Sequence, residues 1–439
     1  MLLVYTPKIT PRIHYTFRLF FKYIWGIDGC VTDNKEDFCK ANCFKLSYAD
    51  APINCEPFIQ PSGLLTEKGI KSCTPTIGTW EGVPTLFPTD NPTSWLPFDI
   101  FSAAFYLVSR YEEYKENTQK DEHQRFTPEQ SIAYQNNFLH QPIVNIWAMA
   151  LKKKLIAQYP YLDIKNKPKY RFYATIDIDH AFAYSGKGII RGSVGIMNCL
   201  LKGNWKEFKQ RVNVLLLKHQ DPFDTYEYQH TTFQKYKVRA MYFALLGNYG
   251  RFDTNLPHTS LRLQSLLKQL ADHYKIGIHP SYASNQDKTL LNTEIQRLNS
   301  ILHREIKASR QHFIKLQLPS TYRNLLSLDI TEDYSMGYPN QYGFRAGICT
   351  YFNFYDLELE VETPLRIHPF AFMEGTFQNY MQASPADSIQ KIKELIDEVK
   401  AVNGTFSMIW HNHTLSNKGC WKGWREVFEQ TIVYGKEVE

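Results

Sequence analysis

The chain has 439 residues, more than one ordinary domain carries, and 43% hydrophobic with 21% charged residues is the balance of a water-soluble folded protein. A net charge of +6, spread along the chain with no basic stripe, speaks against a dedicated nucleic-acid binder. No run of eighteen apolar residues exists, so no membrane span is expected. Pro7, Lys8, Pro11 and Arg12 break the first apolar stretch, unlike a secretory signal, which gives a cytoplasmic expectation.

In chain order, "LLVYT" reads as a strand, residues 12–25 as an amphipathic helix and "FKLSY" (44–48) as a second strand, a β-α-β opening. Cys39 and Cys43 have zinc-pair spacing, but the second close pair of a zinc ribbon is missing, and the eight cysteines read as reduced thiols. A Pro-, Gly- and Thr-rich region (73–97) precedes a helix over 98–114. A polar loop (115–130), a helix over 142–159 and a linker over 160–171 follow. This places a domain boundary near residue 165, with a smaller mixed α/β domain over 1–165 and a larger one over 166–439.

Beyond the boundary, short apolar runs alternate with helical segments at 259–274, 288–307 and 387–402. The expected strands are "FYATID", "AMYFALLG", "KIGIHP", "RQHFIKL", "DYSMGY", "FRAGICTYF" and "TFSMIWH". Such alternation implies a parallel sheet, closed or open, with chemistry at the carboxyl ends of its strands. Those ends carry metal-type residues. The first run ends in Asp177 and Asp179, the third in His279, the last in His411, Asn412 and His413. Asp177 and Asp179 are two apart and so share a strand face, where like charges call for a cation or a shared proton. Arg310 and His312 share a face in the same way. Oxygen from Asp and nitrogen from His suit zinc, cobalt, iron or manganese better than calcium or magnesium.

The order Thr-x-Asp-x-Asp, Gly-Ile-His-Pro-Ser, Ser-Arg-x-His-Phe and Ile-Trp-His resembles the polysaccharide deacetylases of the NodB-homology superfamily. The likeness is to a bacterial subgroup of about this length with an extra N-terminal domain, and it covers about 170–415. The resemblance implies an irregular (β/α) barrel and a metal-dependent hydrolase that removes acetyl groups from a sugar or glycan in surface-polysaccharide synthesis. One divalent metal is implied, zinc first, with cobalt, iron or manganese as alternatives. By the same resemblance Asp177 is the general base, Asp179 and His279 are metal ligands, Arg310 orients the base and His411 protonates the leaving group. Asp333 and Arg345 match later motifs that shape the substrate site.

The family's second motif has another histidine four residues after the first, where this chain has Ala283. His312 is the candidate replacement, since a strand that aims Arg310 at the site aims His312 there too; His180 and His413 are weaker candidates. Two rival readings accompany this one. A barrel that binds glycan without cutting it would explain Ala283, but needs neither Asp177, Arg310 nor His411. A glycosyltransferase would use Asp-x-Asp to hold a metal, and leaves His279, Arg310 and His411 unexplained.

Overall fold

The computed structural model describes residues 2–116, 118–161, 168–217 and 219–437; the boundary expected near residue 165 lies outside them. The chain opens with β1 (Leu2–Tyr5), β2 (Gly29–Thr32), β3 (Phe44–Tyr48) and β4 (Phe58–Ile59), an all-parallel sheet in the order β2-β1-β3-β4. The segment expected as one helix over 12–25 is an α-helix over Pro11–Arg18 that continues as a π-helix over Leu19–Trp25. Thr10 caps its start and Pro11 sits in its first turn. A hairpin of β5 (Ile77–Trp80) and β6 (Val83–Leu86) turns at Glu81 and Gly82, both at positive φ as a tight two-residue turn requires. The helix over Ile100–Val108 is shorter than expected because Arg110 enters the left-handed region.

The second part builds a nine-stranded sheet. Its strands are β7 (Arg171–Ile178), β8 (Arg239–Leu245), β9 (Lys275–His279), β10 (Ala308–Ser309), β11 (Glu332–Asp333), β12 (Phe352–Asp356), β13 (Val361–Ile367), β14 (Phe372–Met373) and β15 (Thr405–His411). The order is β12-β13-β11-β10-β9-β8-β7-β15-β14, and every ladder is parallel except β12 with β13. Register sets Asp177 beside His411 on β15 and Leu245 of β8 beside His279. One extended stretch links the two sides of this order. His368 N–H donates to the Asp333 carbonyl and Phe370 N–H to the Met336 carbonyl, whereas Ala371 N–H donates to the Ser407 carbonyl within β15.

Three expected strands differ from the observed ones. "FRAGICTYF" is irregular until β12 begins at Phe352, and the β12–β13 hairpin was not foreseen. Of "DYSMGY" only Asp333 is in a strand, the two-residue Glu332–Asp333. "RQHFIKL" is not a strand at all: the ladder stops at Ser309, for a reason that belongs to the site.

The two halves pack on one continuous apolar core. Tyr355 of β12 meets Tyr15 at 5.0 Å and Phe105 at 5.2 Å between ring centroids. Buried Arg12 grips Glu360 with two nitrogens. Among the described residues, no helix is long and apolar enough to cross a membrane.

Candidate active site

The ends of β7, β9, β14 and β15 and the turn after β10 meet around a cavity of about 300 Å³. Along β7, Phe172, Ala174, Ile176 and Ile178 are buried in the apolar core, and the alternate residues Thr175, Asp177 and Asp179 face the interior of the site. Arg310 reaches across to this face. Its Nη1 donates to Thr175 Oγ1 at 2.7 Å and to Asp177 Oδ1 at 2.9 Å. Its Nε donates to the Tyr334 carbonyl at 3.1 Å, and the guanidinium lies 4.4 Å from the Phe243 ring centre. A fully buried arginine held this way fixes where the Asp177 carboxylate can point.

The hydrogen bonds between β9 and the chain after β10 explain both the short strand and the orientation of His279. Arg310 N–H donates to the Ile278 carbonyl at 3.0 Å, and His312 N–H to the Pro280 carbonyl at 3.2 Å. A regular parallel ladder would have residue 280 donate back to the Arg310 carbonyl, and Pro280 has no N–H. His279 supplies the missing donor, with Nδ1 2.6 Å from that carbonyl. A carbonyl only accepts, so Nδ1 carries the proton and Nε2 turns its lone pair to the cavity. Backbone pairing thus persists far enough to aim both Arg310 and His312 at the site, although the ladder has ended.

After His312 the chain turns sharply through Phe313 (φ 60°) and Ile314 (φ 52°), a left-handed pair that is costly for a β-branched residue. Arg125 pins this turn from the first half of the chain, donating to the Phe313 carbonyl at 2.7 Å and to Asp121 at 2.7 Å.

His312 Nδ1 lies 2.9 Å from Asp253 Oδ1, which leaves Nε2 facing Asp179 Oδ2 at 3.7 Å. His279 Nε2 is 3.3 Å from Asp179 Oδ1. One donor atom from each of Asp179, His279 and His312 falls within 4.8 Å of the other two. Asp179 Oδ1 is buried with no hydrogen-bond partner in the protein. A buried carboxylate that turns one oxygen to each of two imidazole nitrogens, with Oδ1 left without a hydrogen bond, fits a divalent cation, and one carboxylate with two imidazoles is a donor set of catalytic zinc sites. Burial alone would raise Asp179, but His312, His279 and His411 outweigh it and hold the carboxyl well below its usual range. Burial would lower His312, yet Asp179 and Asp253 push it up to about 9. The cluster therefore takes up positive charge, as a proton or as a metal.

His411 closes the opposite side. Glu374 Oε1 accepts from its backbone N–H at 2.9 Å and lies 2.8 Å from its Nδ1, and Nε2 is 3.5 Å from Asp179 Oδ2. Burial would lower this imidazole, but Glu374 and Asp179 raise it to about 10.

Six of the eight expected site residues thus meet: Asp177, Asp179, His279, Arg310, His312 and His411. The structure does not bring Asp333 or Arg345 to the cavity. Asp333 is fully buried behind Arg310, accepting from Ser309 and Ser335, and Arg345 forms a bidentate pair with Glu113. His180 and His413 line the wall, both lowered by burial, His413 to about 3. Ala283 lies on the loop whose N–H groups hold Asp253, Tyr282 donating at 2.8 Å and Ala283 at 3.4 Å. That loop orients His312 instead of supplying a ligand. Asp253, Glu374 and Arg125 escaped the sequence reading. Glu374 carried a usable signal, a carboxylate just past the end of β14, whereas Asp253 and Arg125 lie in loops with no pattern.

Residues 2–160 match a family of unknown function, DUF7033. No curated protein matches. Among solved structures, a candidate polysaccharide deacetylase from Mycobacterium smegmatis is 11% identical, with TM-score 0.36, covering 61% of this chain and 85% of its own. A mutant CE4-family pseudoenzyme with restored enzymatic activity is 9% identical, with TM-score 0.27, covering 60% and 63%. The 7,8-dihydropteroate synthase of Vibrio fischeri is also 9% identical, with TM-score 0.25, covering 60% and 94%. These likenesses are too weak to assign a fold or an activity.

Proposed function

We propose that this chain is a metal-dependent carbohydrate deacetylase acting in cytoplasmic steps of surface-polysaccharide synthesis, with Asp179, His279 and His312 as ligands of one divalent metal. The observation that carries the reading is the Asp179 carboxylate facing two oriented imidazoles, one from each oxygen and with Oδ1 unpartnered, between a buried Asp–Arg pair on one side and a Glu–His pair on the other. The fold proposed with it is an irregular (β/α) barrel, joined through the extended stretch after β13 and preceded by a smaller α/β domain over 1–165 that packs on the same core.

The metal would acidify a water and polarise the acetyl carbonyl. Asp177, fixed by Arg310, accepts the proton of the attacking water, a role that contributes about 10²–10⁴-fold. His411, held cationic by Glu374, delivers a proton to the departing sugar oxygen or nitrogen. Asp253 and the Arg310 carbonyl orient His312 and His279, the kind of support whose loss costs about 10–100-fold. Phe252, Phe313, Tyr380 and Trp421 give the cavity apolar walls on which a sugar ring can stack. His312 takes the place that Ala283 leaves open, which removes the motive for a binding-only protein.

The test is acetate release by the full chain loaded with zinc or cobalt, from acetylated oligosaccharides and from 4-nitrophenyl acetate. Turnover should vanish with chelation and return with metal. A protein that takes up metal yet hydrolyses neither substrate would favour the glycan-binding alternative.

A further inference from the structure

Of the three helices between Asp179 and β8, the first two, Gly188–Leu201 and Trp205–Leu216, are joined by Lys202, Gly203 and Asn204. They carry the densest group of exposed apolar side chains in the described structure. Leu201 is 79% exposed, Leu216 74% and Trp205 67%, with Val194, Met197 and Leu217 also above one half. The spacing of 194, 197 and 201, and of 205 and 216, puts these residues on one stripe of each helix, with Phe208 and Val212 half-buried along the second stripe. Isolated exposed apolar residues are ordinary; a contiguous patch of this size is not.

The charge of the same segment points to what covers it. Residues 186–220 hold seven Lys or Arg and one acid, Glu207, an excess as large as the net charge of +6 of the whole chain. The positive charge is therefore gathered in this segment rather than spread evenly along the chain. Glu207 is already paired with Arg211. Lys202, Lys206 and Lys209 are exposed at the turn, beside Trp205. Apolar stripes ending in a tryptophan and ringed by lysines match the boundary between acyl chains and anionic headgroups. Self-association fits less well, because a two-fold contact through this patch would set each lysine group against its own copy.

We infer that the 188–217 helix pair seats the protein on an anionic lipid bilayer without crossing it. The root of the pair is tied to the cavity wall. Asp221 accepts from the N–H groups of Ala183, Tyr184 and Ser185 at 2.7–2.9 Å. Asn412, next to His411, donates to the His180 and Phe223 carbonyls, both at 2.9 Å. Seating therefore brings the cavity to the membrane surface, and a glycan carried on a membrane lipid is the substrate class that follows, a consequence that rests on the deacetylase reading.

Co-sedimentation of the full chain with phosphatidylglycerol–phosphatidylcholine vesicles and with pure phosphatidylcholine tests the seating by itself. The chain should pellet with the anionic vesicles and release as salt is raised. Leu201→Glu with Leu216→Glu should weaken binding at least about tenfold, and so should Lys202→Glu, Lys206→Glu and Lys209→Glu together. These positions are exposed, so the melting temperature should hold, and hydrolysis of soluble 4-nitrophenyl acetate should equal that of the parent chain, active or not. Absence of binding to anionic vesicles would overturn the inference. So would a dimer that the Leu201→Glu, Leu216→Glu variant converts to monomer with no vesicle binding in either form.

Discussion

Two clusters of buried charge sit in this molecule, and their contrast separates a structural group from a chemical one. In the first, Glu113 accepts from Arg110 and Arg345 on one oxygen and from Arg345 on the other. Arg110 also reaches Glu112, Tyr338 and the Arg345 carbonyl, and Arg345 reaches Gly337. Every charged atom there is satisfied by the protein. In the second, Asp179 Oδ1, Arg310 Nη2 and Glu374 Oε2 are buried with no hydrogen-bond partner. Buried polar groups are normally paired, so unpaired Asp179 and Glu374 oxygens on the wall of one cavity mark where something else is meant to bind.

Removing a member of the satisfied cluster should cost stability. Arg345→Met leaves Glu113 with half its partners and should lower unfolding free energy by about 3–5 kcal/mol, read by denaturant titration. A loss near zero would break the comparison. Asp177→Asn should instead show chiefly in chemistry: it also strips Arg310 of its buried counter-ion and lowers the melting temperature, but metal content should hold in the folded chain while turnover falls about 10²–10⁴-fold. Asp253→Asn should sharpen the picture, since His312 would stay in place less firmly oriented and metal affinity should fall about 10–100-fold by competition with a chelator. The smallest effect belongs to Arg125→Lys, which keeps the charge and loses one of the two hydrogen bonds that tie the strained turn at Phe313 to Asp121. About 1 kcal/mol of stability should go, with a few-fold weaker metal binding.

The strand-end histidines and aspartates were readable because a parallel sheet gathers its carboxyl ends, and spacing alone told which residues share a face. An extended strand through Arg310 and His312 predicts that both face the site, and they do, although the strand ends at Ser309 and the Pro280 carbonyl with the His279 side chain keeps the pairing going. Asp333 carries the same strand-end signal as Asp179, but its neighbours Ser309 and Ser335 saturate it, and sequence spacing does not reveal satisfaction. Arg345 pairs with a residue 232 positions away, a contact that no local pattern encodes. The helix pair after Asp179 was legible as apolar and basic only when its charge was counted over that segment alone.

Metal occupancy tests the central claim most directly. The full chain, purified without chelator and supplied with zinc, should bind one equivalent, and anomalous diffraction should place it among Asp179, His279 Nε2 and His312 Nε2 at about 2.0–2.2 Å. Asp179→Ala should abolish that signal. A chain that takes up neither zinc, cobalt, iron nor manganese, or that binds its metal away from these three residues, would contradict the account.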